Sequence, residues 1–223
     1  MEDEGRKEGW KEMKQAGRRA RWWRQWALLG AALALAVSPM GGAVALGEAE
    51  TIFQQLPARF TLSSGIGGWQ CILQIEADGA FTGRYWDEDS GDCAAEYPRG
   101  TVYLCGFSGQ FAEPEMAGPY SCTMKLARLE TAGRPGTRYL RQGTRWVYVQ
   151  PWGFEEAETF MLYLPGAEMA GLPQGFLEGS FLSTALETMP EGVYGLYNPA
   201  GERAFMGYGE EGAGEAALAA SAG

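Results

Sequence analysis

From Arg59 onward the chain alternates polar and apolar residues with a period of two, the signature of half-buried β-strands. In WQCILQI (69–75), Trp69, Cys71, Leu73 and Ile75 share one face, while Gln70, Gln74 and Glu76 fall on the other. Ile72 is the exception. Asp78-Gly79 then predicts a hairpin turn, and Phe81 and Tyr85 continue the apolar face on the return strand. Gly83 between them is read as a bend or bulge. Further strands are predicted over 101–111, 120–129, 137–140, 144–150, 159–164, 191–197 and 203–208, making about nine. In 120–129, Tyr120, Cys122, Met124 and Leu126 are expected to point inward. Only 49–56 and 172–182 read as short helices, and no long βα alternation appears. The pattern predicts a mainly β fold, an antiparallel meander closed as a lipocalin-like up-and-down barrel, with a β-sandwich as the alternative. Such a barrel is either filled by side chains or holds one small ligand.

The ends of the chain read differently. Residues 1–25 are basic and close on Arg18, Arg19, Arg21 and Arg24; an uncharged run, WALLGAALALAV (26–37), follows, and then small residues. This is the layout of a secretory signal peptide, with cleavage expected after Ala45 of Ala43-Val44-Ala45. An uncleaved N-terminal anchor is the alternative, although 12 apolar residues fall short of the ~20 of a spanning helix. Residues 46–208 are expected to be one β domain and 209–223 a disordered, low-complexity tail. The expected location is secreted or at the cell surface. Residues 46–223 hold 10 of the 18 basic and 23 of the 28 acidic side chains, a net of −13. Such a domain repels nucleic acid and anionic membrane, so contact with a membrane is expected only through an uncleaved N-terminal segment.

The chain has no histidine, which removes Ser-His-Asp and Cys-His catalysis and the commonest zinc sites. Its one lysine after residue 45, Lys125, falls on the polar face of its strand with Ser121 and Thr123, as a solvated side chain does. The four cysteines, Cys71, Cys93, Cys105 and Cys122, match no metal knuckle. An even count in an exported chain suggests disulfides, and Cys93–Cys105 is the expected pair, a loop thiol tied to a strand.

The richest chemistry lies in WDEDSGDC (86–93). Asp87, Asp89 and Asp92 could supply three oxygen ligands to Ca²⁺. The EF-hand pattern fails, because Gly91 and Asp92 are transposed and Pro98 stands where the bidentate Glu belongs. The remaining readings are a non-EF calcium loop, a ligand contact, or a solvated turn. Among Glu76, Asp87, Asp89 and Glu96 a pair could serve a carboxylate-dependent glycan hydrolase. Trp86 and Trp152, each at a strand end beside polar residues, are candidates for contact with a glycan, a peptide or a small apolar ligand. GRPGTRYLRQGTRW (133–146) concentrates Arg134, Arg138, Arg141 and Arg145, either a solvated hairpin or a site for an anion or an acidic loop.

Taken in order, FTLSSGIGGW, LQIEADGAFTGRYWDEDSGD and YPRGTVYLCGFSGQF, with YLPG and YGLYN downstream, resemble a group of uncharacterised exported proteins and lipoproteins of Gram-positive bacteria. These share an ADGxFxGxYxDxDxGD-like stretch. The resemblance implies that Asp87, Asp89 and Asp92 belong to a family pattern, and implies no activity. The present chain lacks a lipobox cysteine. An exported binding or interaction module at the bacterial surface is the expected function, with a glycan hydrolase or a structural envelope protein as alternatives.

Overall fold

The structure is a computed structural model that describes residues 52–65, 68–183 and 185–209. The expected signal or anchor, 1–45, lies outside them, as does the expected tail beyond Gly209. Among the described residues no helix is long and apolar enough to cross a membrane.

Ten strands follow one another: β1 (Phe60–Ser63), β2 (Trp69–Ile75), β3 (Ala80–Asp89), β4 (Thr101–Gly118), β5 (Ser121–Thr131), β6 (Arg138–Arg141), β7 (Thr144–Tyr148), β8 (Thr159–Tyr163), β9 (Val193–Asn198) and β10 (Arg203–Tyr208). Eight of them form a closed antiparallel barrel, in the order β1-β2-β3-β4-β5-β8-β9-β10 and back to β1. Closure through β1–β10 excludes the sandwich, since every barrel strand has two neighbours. Two short helices accompany the barrel, α1 (residues 52–55) and α2 (Gln174–Ser180).

The pattern of alternation predicts these elements well, with two corrections. β1 was not among the predicted strands. Gly83 makes no bulge: pairing runs unbroken from Phe81 to Asp87 against β2 and from Ala80 to Asp89 against β4. The irregular strand is instead β4, whose register against β5 shifts at three places. Those shifts let one 18-residue strand pair with β3 along its first half and β5 along its second. Where β5 leaves, β7 takes its place beside Thr101–Leu104, in parallel. The β6–β7 hairpin is thus an appendage inserted between β5 and β8. Its turn, Gln142-Gly143, has φ of 50° and 75°, the left-handed pair of a type I′ turn.

The lumen is filled. Phe60, Phe81, Phe107, Phe111, Phe160 and Phe205 converge in it with Leu73, Met124, Leu162 and Leu196, all buried. Of the residues expected inward on β5, Cys122 and Met124 are buried, Leu126 is partly so and Tyr120 is exposed. Outside the barrel, α2 sets Phe176 against Tyr163 and Tyr197 and covers the backs of β8, β9 and β10. Phe53 of α1 completes the lumen core at the opposite end from the rim described below.

Candidate functional site

The acidic stretch closes β3 and enters a loop (90–100), and each carboxylate has its own partner there. Asp87 accepts from the Tyr85 hydroxyl at 3.3 Å and Glu88 from the Trp86 indole at 2.9 Å. Asp89 Oδ1 accepts from the backbone N–H of Gly91 and of Asp92, at 2.9 and 3.1 Å, which shapes the turn. Asp92 accepts from the Tyr103 hydroxyl at 2.6 Å and from the Arg145 guanidinium. Arg145 also donates to Thr101 Oγ1 and to the Tyr97 hydroxyl, with its guanidinium 4.3 Å from the Tyr97 ring centre. The structure therefore does not bring Asp87, Asp89 and Asp92 together as one ligand set. Among the described residues no three His, Cys, Asp or Glu converge as a metal site would need. The acidic loop that the arginine-rich hairpin meets is the chain's own.

The Tyr103 hydroxyl, followed by Thr101 and Arg145, holds the Asp92 carboxyl below the ordinary carboxylate range, against the opposing effect of burial. A carboxyl depressed in the folded state stabilises above its unfolded pKa, and that contribution is lost as pH falls through the folded value. Asp92→Asn is therefore expected to melt lower than the parent at pH 7. The gap should close as pH falls below about 4, where the unfolded carboxylate also protonates. Thermal melts from pH 7 to pH 2.5 check this; a gap undiminished at pH 2.5 would show that the loop does not depend on the ion pair.

The expected Cys93–Cys105 disulfide is not formed. Cys93 is exposed on the loop, whereas Cys105 points into the barrel beside Tyr85. Burial pushes the Cys105 thiol up to about 12 and the Cys122 thiol to about 11. Cys71 is pushed up further, by burial first and then by Cys105 and Glu155. Thiolate is the reactive form. A maleimide at pH 7 should therefore label one thiol per folded chain, Cys93, and four after denaturation; mass spectrometry of the adducts reads the count.

A second constellation lies at the barrel mouth where β1 ends and β2, β4 and β10 begin. The segment from β7 to β8 crosses this mouth. Asn198, wholly buried, anchors it by donating to the carbonyls of Gly153 and Glu155 at 3.1 and 2.9 Å. Phe154 drops from the segment into the lumen core. Trp152 lies at the rim, its ring 5.8 Å from Trp69 edge-to-face and 6.0 Å from Tyr85 in a stack. The Arg203 guanidinium sits over the Trp152 ring, 4.8 Å from its centre. Among the described residues Arg203 has no ion pair or hydrogen bond, and its Nε is a buried donor without an acceptor, as is Trp152 Nε1. An unmet buried donor costs about 1–3 kcal/mol. Beside them opens a pocket of about 180 Å³, lined by Trp69, Trp152, Arg203, Leu62, Ser63 and Phe181 among others. Phe181 is 68% exposed and holds a left-handed φ of 56°, an unfavourable backbone for an aromatic residue.

Trp152 thus belongs to a pocket, and Trp86 does not share it. Trp86 lies on the outer face of β3 against Trp146, 5.5 Å centre to centre, and Tyr139 stacks on Trp146. Arg203 did not stand out in the sequence, yet a signal was present. In RAFMGY it has the same parity as Phe205, so it is a cation on the lumen-facing side of an apolar strand.

Comparison of the chain with protein-family models, with curated proteins and with solved structures finds no match.

Proposed function

We propose that this protein is an exported binding module of the bacterial surface that takes a small ligand at the barrel mouth rather than in the lumen. The observation that carries this reading is Arg203. Among the described residues it is a cation without an anion, held on the face of Trp152 at the edge of an aromatic-lined pocket. A fold selected only for stability has little reason to leave a guanidinium and an indole donor unmatched in one place. The phenylalanine-filled lumen supports placing the ligand at the rim. The basic-then-apolar N-terminus and the resemblance to exported Gram-positive proteins support the location.

The reading is tested by a fragment screen on ¹⁵N-labelled protein, following the indole N–H signals. Binders are expected to move the Trp69 and Trp152 signals together and leave Trp86 and Trp146 in place. Fragments that move only Trp86 and Trp146 would transfer the binding role to the outer aromatic face. A screen that moves none of the four would reject a small-ligand module.

A further inference from the structure

We infer that the mouth pocket selects a small organic monocarboxylate, with its acid group on Arg203 and its apolar body against Trp69, Leu62 and Phe181. This rests on reading the mouth as the binding site and goes on to name the ligand class.

Charge carries the first step. Arg203 is the one ionisable residue among those lining the pocket, and among the described residues it has no counter-ion. Arg145, beside the acidic loop, differs in having Asp92, Thr101 and Tyr97 to satisfy it. A planar guanidinium matches a carboxylate through two parallel N–H···O bonds. The strength of the site suits one negative charge. The chain carries a net −10, so its field opposes anions in general, and one local cation offsets one charge.

The pocket walls carry the second step. Aromatic and aliphatic surface surrounds the cation, and Ser63 and Ser64 are its only hydroxyl-bearing neighbours. Both hydroxyls accept from backbone N–H groups of their own loop, which fixes their oxygens and leaves each one O–H to donate. A compact, heavily hydrated oxyanion such as phosphate would lose most of its water to these largely apolar walls and regain only part of it from Arg203, the Trp152 indole N–H and the two hydroxyls. An acid with an apolar body gains burial instead. An open-sided pocket of about 180 Å³ suits a short acid. Phe181, exposed and strained, is the side chain best placed to settle over the bound ligand.

The probes are benzoate and hexanoate, their neutral amides benzamide and hexanamide, and inorganic phosphate. Binding to the full protein is read by calorimetry and by the Arg203 Nε–H and Trp152 indole signals. The acids are expected to bind at least tenfold more tightly than the amides, to weaken with added salt, and to lose at least tenfold in Arg203→Met. Arg203→Lys, which keeps the charge without the fork, should fall between. The acid-to-amide comparison uses the unaltered protein, so it stands even where a variant folds poorly. Amides that bind as well as acids, or benzoate binding unchanged in Arg203→Met, would overturn the carboxylate inference and leave the mouth reading intact. Phosphate that displaces benzoate at equal concentration would overturn it in favour of a general anion site. If neither acid moves the two signals, the inference is wrong; if the fragment screen also leaves the mouth silent, the mouth reading falls with it.

Discussion

Phe154→Ala is expected to lower the midpoint of thermal unfolding by roughly 6–20 °C, from a loss of about 3–5 kcal/mol at 2–4 °C per kcal/mol for a domain of this size. The residue lies in a connection, where substitutions are commonly mild, so the size of the effect is diagnostic. Its ring sits 5.0 Å from Phe107 and from Phe160, 5.5 Å from Phe81 and 5.9 Å from Phe205, centre to centre. These four come from β3, β4, β8 and β10, so one side chain from a loop joins strands from around the whole barrel. Truncation would leave a cavity bounded by ring faces that cannot all move inward together, because each is fixed by its own strand. Glu156→Ala, two residues on and exposed, is the control and should stay within about 0.5 kcal/mol of the parent. Urea unfolding of both variants measures the difference. A Phe154→Ala loss under about 1 kcal/mol would mean that the segment merely lies over the mouth and does not plug it. The same comparison bears on function, since Trp152 is two residues from Phe154 and owes its position at the rim to that anchor.

The segment also shows where sequence reading ran out. PWGF stands between two strand patterns, and nothing in its composition separates a plug from a turn. Alternation located the strands because a barrel with a filled lumen sorts every second side chain by polarity, and so Cys71, Leu73 and Ile75 were placed inward correctly. It missed β1 because four residues, FTLS, offer only two alternations. The partners of a strand leave no trace in its own period. TRWVY reads the same whether its neighbour is antiparallel or, as here, the parallel β4. The acidic loop is similar. Its composition was visible, but Arg145 is 53 positions from Asp92, and only the parallel docking of β7 brings them together. Without that contact three nearby aspartates look like ligands for an ion. With it, Asp92 is occupied, and Asp89 is spent on the turn. The cysteines went astray for a like reason: a strand thiol next to a loop thiol in sequence order can still face the opposite side of the sheet.

Gly83→Ala is expected to cost about 1–3 kcal/mol, as overpacking does, and trimming one neighbour should recover much of it. Gly83 pairs with Leu73 on one side and Phe107 on the other. A Cβ built on it would stand 2.1 Å from Phe107 Cζ, inside the ring's own volume. Its φ is not in the left-handed region, so the obstacle is the ring and not the backbone. The glycine is there to let the Phe107 ring lie across β3 toward Phe81, 6.4 Å away, and Phe154. Gly109 provides the contrast. Its Cβ would meet the Arg128 carbonyl oxygen at 2.1 Å as well as the Phe81 ring at 2.3 Å, and a carbonyl in the β4–β5 pairing cannot be trimmed away. In double-mutant cycles by urea unfolding, Phe107→Leu should therefore offset Gly83→Ala by about 0.5–3 kcal/mol, while Phe81→Leu should offset little of Gly109→Ala. Additivity within about 0.5 kcal/mol at the 83/107 pair would mean that the ring does not occupy the space above Gly83. The packing that fills the lumen would then be wrong at that point, and with it the argument that a ligand must bind at the mouth.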